Sequence, residues 1–251
     1  MELRQLDRPH TAIDAAQTVR LARQAGFENI NLDLMYGLSG QHLQSWQTTL
    51  DHALNLQPEH LSIYELTIEA GTPFARLEKQ GRLFLPDEDT VLLMLEATQQ
   101  MLEQTGYQRY EISNYAKPGY QCRHNINYWQ NREYIGLGAG AVAFLNGTRF
   151  TALADVEQFC RRLENGQEVW AEKETLAQDA AFRETVIMGL RMTAGVSLAE
   201  LKERFGINTE NYYSETLYRL IRQGMLHIVQ GRLQLTDQGI LLANRVMAEL
   251  V

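Results

Sequence analysis

The sequence predicts an α/β fold followed by a smaller helical module. Two observations carry this reading. Helical and strand periodicities alternate from residue 11 to residue 113, which is the pattern of parallel strands joined by crossover helices. From Asp155 onward the alternation gives way to several short helices and one hairpin. The organisation expected is a first domain over 1–172 and a second over 173–251, with the boundary near residues 170–178.

The elements follow in order. Thr11 to Gln24 carries a helical stripe at Ile13, Ala16 and Val19, with Thr11 as N-cap, Asp14 three residues on and Gly26 as the stop. Ile30, Leu32 and Leu34 alternate with Asn31 and Asp33, which reads as a strand ending at the Gly37 and Gly40 turn. Gln41 to Leu56 reads as a helix with Trp46, Leu50 and Leu54 on one face, and His60 to Ile68 as a second strand. Asp87 to Thr105 is a third helix, stopped by Gly106, and Tyr107 to Ser113 a third strand, expected parallel to the others. Glycines at 136, 138 and 140 leave two readings open, tight packing or ligand contact. Asn146-Gly147 marks a hairpin. Helices are expected over Asp155–Asn165, Ala180–Met192, Ser197–Phe205, Asn211–Gln223 and Ile240–Leu250, with a hairpin turning at Gln230-Gly231.

Composition excludes several classes. The chain has 251 residues and a formal charge of −8. That charge opposes nonspecific nucleic-acid binding, and the helix 211–223 has only Arg219 and Arg222 as cations, beside Glu210 and Glu215. Two cysteines, Cys122 and Cys160, exclude a disulfide framework and a self-contained three-cysteine iron–sulfur site. No apolar run approaches about 18 residues, so no transmembrane segment is expected, and a cytoplasmic location is.

Chemistry concentrates in Tyr110–Trp129, YEISNYAKPGYQCRHNINYW. Pro118-Gly119 breaks its middle, so at least half of it is expected to be loop. His124 has two readings: a ligand for a porphyrin iron, or a buried imidazole satisfied by a backbone carbonyl. Asn125 and Tyr128 are placed to orient the ring, and Trp129 offers a flat face to a macrocycle. Cys122 reads as a structural thiol or a further ligand. Asp33, at a strand end before a glycine turn, can accept from ribose hydroxyls or cap the next loop. Arg8 reads as a surface charge. Glu65, Glu69 and Glu111 lie near strand ends without a partner fixed by spacing.

At DLMYGLSGQ and in the segment just quoted, the sequence resembles the coproporphyrinogen III oxidase-like branch of the radical S-adenosylmethionine superfamily. Within it, the chain is similar to the HemW-type heme chaperones, essentially from Leu6 to Leu250. His124-Asn125-x-x-Tyr128-Trp129 matches the HNxxYW motif implicated in heme binding. The resemblance implies the C-terminal part of a partial (β/α)6 barrel followed by a winged-helix-like domain. It implies that His124, Asn125, Tyr128 and Trp129 bind heme, with His124 on the iron. It further implies that Arg8 and Asp33 contact S-adenosylmethionine, and that Thr67 and Val142 line the same pocket. Leu38-Ser39-Gly40-Gln41 departs from the family's LPGQ by a serine, which is expected to loosen the turn.

Family members carry a CxxxCxxC loop in an earlier part of the barrel, holding a [4Fe–4S] cluster. That motif is absent, and the sequence begins about where the family's fourth helix would. A fragment, a misassigned start or a truncated gene is expected, unable as written to generate a radical. The bare strand edge near Asn31 predicts self-association. Two functions stand: a chaperone handing heme to acceptor hemoproteins, favoured by HNxxYW, and an oxygen-independent coproporphyrinogen III oxidase of porphyrin biosynthesis.

Overall fold

The computed structural model describes residues 2–251. They form two compact units that divide between Gln121 and Cys122. The first unit is mixed α/β. Its elements are α1 (Glu2–Gln5), α2 (Ala12–Gln24), β1 (Asn31–Tyr36), α3 (Leu43–Asn55), β2 (His60–Glu65), α4 (Pro73–Lys79), α5 (Glu88–Gln104), β3 (Gln108–Arg109) and β4 (Asn114–Ala116). Thr11 and Asp14 form a reciprocal capping box at the start of α2, which fixes where that helix begins.

The sheet of this unit is open, in the order β1-β2-β4-β3, so β1 is an edge strand. β1 and β2 run parallel, as the crossover helix α3 requires. The expected third strand over 107–113 is reduced to β3, two residues that point the same way as β1 and β2 but pair only with the antiparallel β4 between them. The chain reverses between β3 and β4, and β4 returns antiparallel to both β2 and β3. The cause is local. The Glu111 carboxylate accepts from the Ser113 amide and the Asn114 side chain, and the Arg109 guanidinium donates to the Ile112 carbonyl. These bonds close a tight reversal that needs no crossover.

One sheet face packs on α3 and α5. Tyr36, Leu61, Ile63 and Tyr115 meet Trp46, Leu50, Met94 and Leu102 there, all buried. The indole of Trp46 is fully buried and satisfied, donating to Thr98 Oγ1 at 2.8 Å and to the Met94 carbonyl at 3.1 Å. Strand alternation sends Asn31, Asp33, His60 and Ser62 to the opposite face. A parallel pair buried on both faces would be apolar throughout, so this polar side marks a surface for something other than core.

The second unit contains α6 (Arg123–Trp129), β5 (Val142–Leu145), β6 (Thr148–Ala152), α7 (Val156–Glu164), β7 (Trp170–Thr175) and α8 (Gln178–Leu190). It continues through β8 (Val196–Ser197), α9 (Leu198–Phe205), α10 (Thr209–Arg222), β9 (Leu226–Val229), β10 (Arg232–Leu235), α11 (Asp237–Leu241) and α12 (Ala243–Ala248). β5, β6 and β7 form one antiparallel sheet, and β8, β10 and β9 another. Both expected hairpins are present. Asn146-Gly147 and Gln230-Gly231 have positive φ at both positions, the backbone that matches strand twist. The final helix is two, α11 and α12, meeting at Leu242 with its φ of −115°. Phe182, Leu190, Leu201, Leu217, Leu220 and Leu233 are buried within this unit.

Candidate functional site

The polar face of the first unit is built from strand register. Asn31 lies opposite His60 and Asp33 opposite Ser62. Asn31 Nδ2 donates to Asp33 Oδ1 at 2.7 Å and to Ser62 Oγ at 3.1 Å. His60 Nδ1 lies 2.7 Å from Asn31 Oδ1, and His60 Nε2 lies 2.8 Å from the Tyr110 hydroxyl. Burial holds the His60 imidazole below its ordinary pKa, with the Asp33 charge pulling the other way. Asp33 itself is exposed, and its second carboxylate oxygen takes no hydrogen bond from the described residues.

Just beyond Asp33, the ends of β1 and β2 bring Tyr36 opposite Glu65. Burial raises the Glu65 carboxyl above its ordinary pKa, against a hydrogen bond with Tyr36 that lowers it. The turn after β1 is pinned rather than loosened by its serine. Ser39 Oγ donates to the Phe84 carbonyl at 3.1 Å and accepts from the Phe84 amide at 3.3 Å. Gln41 is buried, its side-chain oxygen accepting from the Leu38 amide.

Arg8 is exposed in the loop after α1, and Thr67 is exposed after β2; no hydrogen bond or ion pair joins either to Asp33. Val142 begins β5 in the second unit. An acceptor such as Asp33 with one oxygen open fits a ribose diol. The thiols do not fit a [4Fe–4S] cluster, which needs three cysteine ligands: the chain has two, and no group of three metal-binding side chains occurs among the described residues.

In the second unit, the HNxxYW residues lie on α6, a helix the sequence reading treated as loop. Half of the segment 110–129 is irregular, but its histidine is not in that half. Helical spacing stacks His124 on Tyr128 one turn on, and Asn125 on Trp129 along the neighbouring stripe. His124 is exposed, and neither ring nitrogen is hydrogen-bonded by a described residue. Its ring meets Tyr128 edge-on, with centroids 4.7 Å apart. Tyr128 meets Tyr134 at 4.5 Å, and Tyr134 meets Phe144 at 6.4 Å. A row of four rings results. Tyr134 and Phe144 escaped the sequence reading because they join through an isolated antiparallel bridge that local periodicity does not show.

The helix is anchored at its far end. Asn131, with φ of 48°, turns the chain out of α6, and its side chain donates to Thr185 Oγ1 of α8 at 3.0 Å. Arg204 of α9 donates to the Asn131 carbonyl at 2.8 Å. The Arg191 guanidinium lies 4.4 Å from the Trp129 ring centroid, a cation–π contact that occupies one face of the indole. Trp129 also lines a cavity of about 1010 Å³, together with Asn131, Thr185 and Arg204. His124 stands outside that cavity.

The fold matches that of a coproporphyrinogen III oxidase, HemN from Escherichia coli, described as a radical SAM enzyme. The TM-score is 0.77 at 21% identity, over 99% of this chain and 60% of that one. Residues 176–242 match the model of the HemN C-terminal domain. The sequence is 36% identical to the heme chaperone HemW of Bacillus subtilis, over 97% of this chain and 64% of that protein. It is 34% identical to HemW of Lactococcus lactis over the same shares, and 35% identical to HemW of Escherichia coli over 98% of this chain and 64% of that protein. Over nearly its whole length the sequence is thus similar to HemW heme chaperones, and its fold is similar to that of HemN. The chain spans 64% of the length of these HemW relatives.

Proposed function

We propose that this protein binds heme at the exposed face of α6 and serves in delivery of heme to acceptor hemoproteins, the activity named for its HemW relatives. The observation that carries the reading is His124, which is exposed, free of hydrogen bonds from the described residues, and braced edge-on by Tyr128. An imidazole already bonded to main chain would have to give up that bond to reach iron; this one has nothing to give up. Tyr128, Tyr134 and Phe144 supply aromatic surface beside it for a flat macrocycle. Asn125 lies beside His124 on the same helix, and Trp129 follows one turn beyond Asn125, with Arg191 over one face of its ring.

In this reading residues 1–172 are the C-terminal part of a (β/α)6 radical-SAM barrel, and residues 173–251 a winged-helix-like domain. The match at 176–242 supports the second boundary. Asp33 would accept from the ribose of S-adenosylmethionine, with Arg8 and Thr67 as further contacts. When present, that cofactor with its cluster supplies reductive radical chemistry. The residues of this chain contribute only binding and orientation to it. With no helix among the described residues long and apolar enough to cross a membrane, and with only two cysteines, we place the protein in the cytoplasm. The oxidase reading is not favoured, since the relatives similar over nearly the whole chain at 34–36% identity are heme chaperones, whereas the oxidase matches at 21%.

Titrating heme into the 251-residue chain and following the Soret band tests the proposal. Saturable binding with a shifted band is expected, and His124→Ala should lose the shift while keeping the far-ultraviolet dichroism of the parent. An unchanged titration in that variant removes His124 as the ligand.

A further inference from the structure

The side chains on the polar face of the first sheet can be hydrogen-bonded in one direction only. The Asp33 carboxylate accepts and cannot donate, so the Asn31 group 2.7 Å from it must be the NH2 end of the amide. That turns Asn31 Oδ1 toward His60, where it accepts from His60 Nδ1–H at 2.7 Å and from the Ser62 hydroxyl at 3.3 Å. With its proton on Nδ1, a neutral imidazole has an acceptor at Nε2, and the Tyr110 hydroxyl donates to it at 2.8 Å. The opposite direction would place the Asn31 oxygen against the carboxylate, two acceptors at hydrogen-bond distance. A doubly protonated ring is opposed by burial: His60 is 5% exposed, and its pKa is held down.

We propose that His60, as the Nδ1–H tautomer, is a positioning residue for Asp33, carrying a one-way chain from Tyr110 through Asn31 to the carboxylate. The chain holds Asp33 Oδ1 through Asn31 and leaves its second oxygen without a hydrogen bond from the described residues. Its end on the carboxylate is exposed, and its beginning is not: His60 and Tyr110 are both buried. A strand-borne side chain held this way keeps its rotamer without the entropy cost of being ordered by an incoming ligand. The consequence for a ribose-bearing ligand rests on the reading of Asp33 given above; the chain itself rests on geometry alone.

The test is spectroscopic. In the full chain labelled with ¹⁵N-histidine, long-range proton–nitrogen correlation near neutral pH should show His60 with a protonated Nδ1 and a bare, downfield Nε2. Asp33→Asn removes no hydrogen bond of His60 but lets the partner present its own NH2, so the Asn31 amide can turn over. The Nε2 resonance should then move upfield and Nδ1 downfield as the other tautomer fills. Tyr110→Phe, which removes one hydroxyl and keeps the ring, should leave the proton on Nδ1, because Asp33 still sets the direction of the Asn31 amide. An Nε2–H or imidazolium His60 in the parent, or a tautomer unmoved by Asp33→Asn, overturns the proposal. Titration with S-adenosylmethionine separates the two readings. If binding is absent in the parent while the tautomer responds, the relay stands and the ligand assignment falls. If the parent binds and Tyr110→Phe weakens binding several-fold, both are supported.

Discussion

Glu59→Gln tests the clamp that sets the start of β1 and β2. Both Glu59 carboxylate oxygens accept from Arg23 Nη2, at 2.7 and 2.9 Å, and one also accepts from the Ile30 amide at 3.0 Å. The Glu59 side chain is 12% exposed and that of Arg23 31%. The glutamine keeps an acceptor for Ile30 but loses the charge and turns an NH2 toward a guanidinium. Arg23 is not stranded, because it also donates to the Phe27 and Gln57 carbonyls. Losing the charge from such bonds costs about 2 kcal/mol, after allowing for the partly solvated arginine. At roughly 2–4 °C per kcal/mol for a chain of this size, the melting temperature should fall by about 4–8 °C. The pH dependence has a definite sign. Burial pushes the Glu59 carboxyl up, but the Arg23 and Ile30 hydrogen bonds and the Arg23 charge outweigh it, so the folded pKa lies below the ordinary 4.5. The unfolded chain takes up its proton first, so the stabilisation is complete above pH 4.5 and drains away as pH falls through the folded value. Calorimetry of parent and variant should therefore show the full gap near neutrality and a narrowing gap below that pH. Equal melting temperatures at neutrality, or a gap that does not change with acid, would refute this account.

Two further outcomes follow from the geometry. A Cβ on Gly136 would stand 2.1 Å from the Val142 carbonyl oxygen, so Gly136→Ala should destabilise the chain by roughly 1–3 kcal/mol in urea unfolding, through forced backbone movement. Tyr134→Ala removes the third ring of the row beside His124, and heme affinity should drop by about 0.5–1.5 kcal/mol, up to some tenfold, with the Soret shift retained because the iron ligand is untouched.

Asp33 and His124 were legible in the sequence because each announces itself locally, one by strand alternation before a glycine turn, the other by crowding of ring side chains. The helices α2, α3 and α5 were legible for the same reason: caps and apolar stripes are encoded within a dozen residues. What escaped is what depends on pairing. β4 needs the Arg109–Asn114 reversal, whose bonds run between side chains and backbone that no periodicity displays. β7 has alternating side chains but an exposed, charged surface, and it becomes a strand only because β6 lies beside it. α6 was hidden by its composition. Asparagine, tyrosine and histidine favour caps and turns over helix interiors, and seven such residues would not hold a helix alone. Here Asn131, Thr185 and Arg204 hold its end by tertiary bonds.

That dependence has a bearing on function. A helix with poor intrinsic propensity is held at its C-terminal end by partners on α8 and α9 and bears His124 in its first turn, away from those partners. A heme ligand placed there can adjust to the iron without disturbing the packed end, where Arg191 covers the Trp129 ring. The opposite arrangement holds at Asp33, whose carboxylate is gripped from a buried histidine outward. Under the proposed function, the first arrangement would suit a carried macrocycle and the second a fixed cofactor. His60 was findable from sequence on this logic: the residue opposite Asn31 in a parallel pair must share its face, and a histidine there has polar neighbours on both sides of the strand.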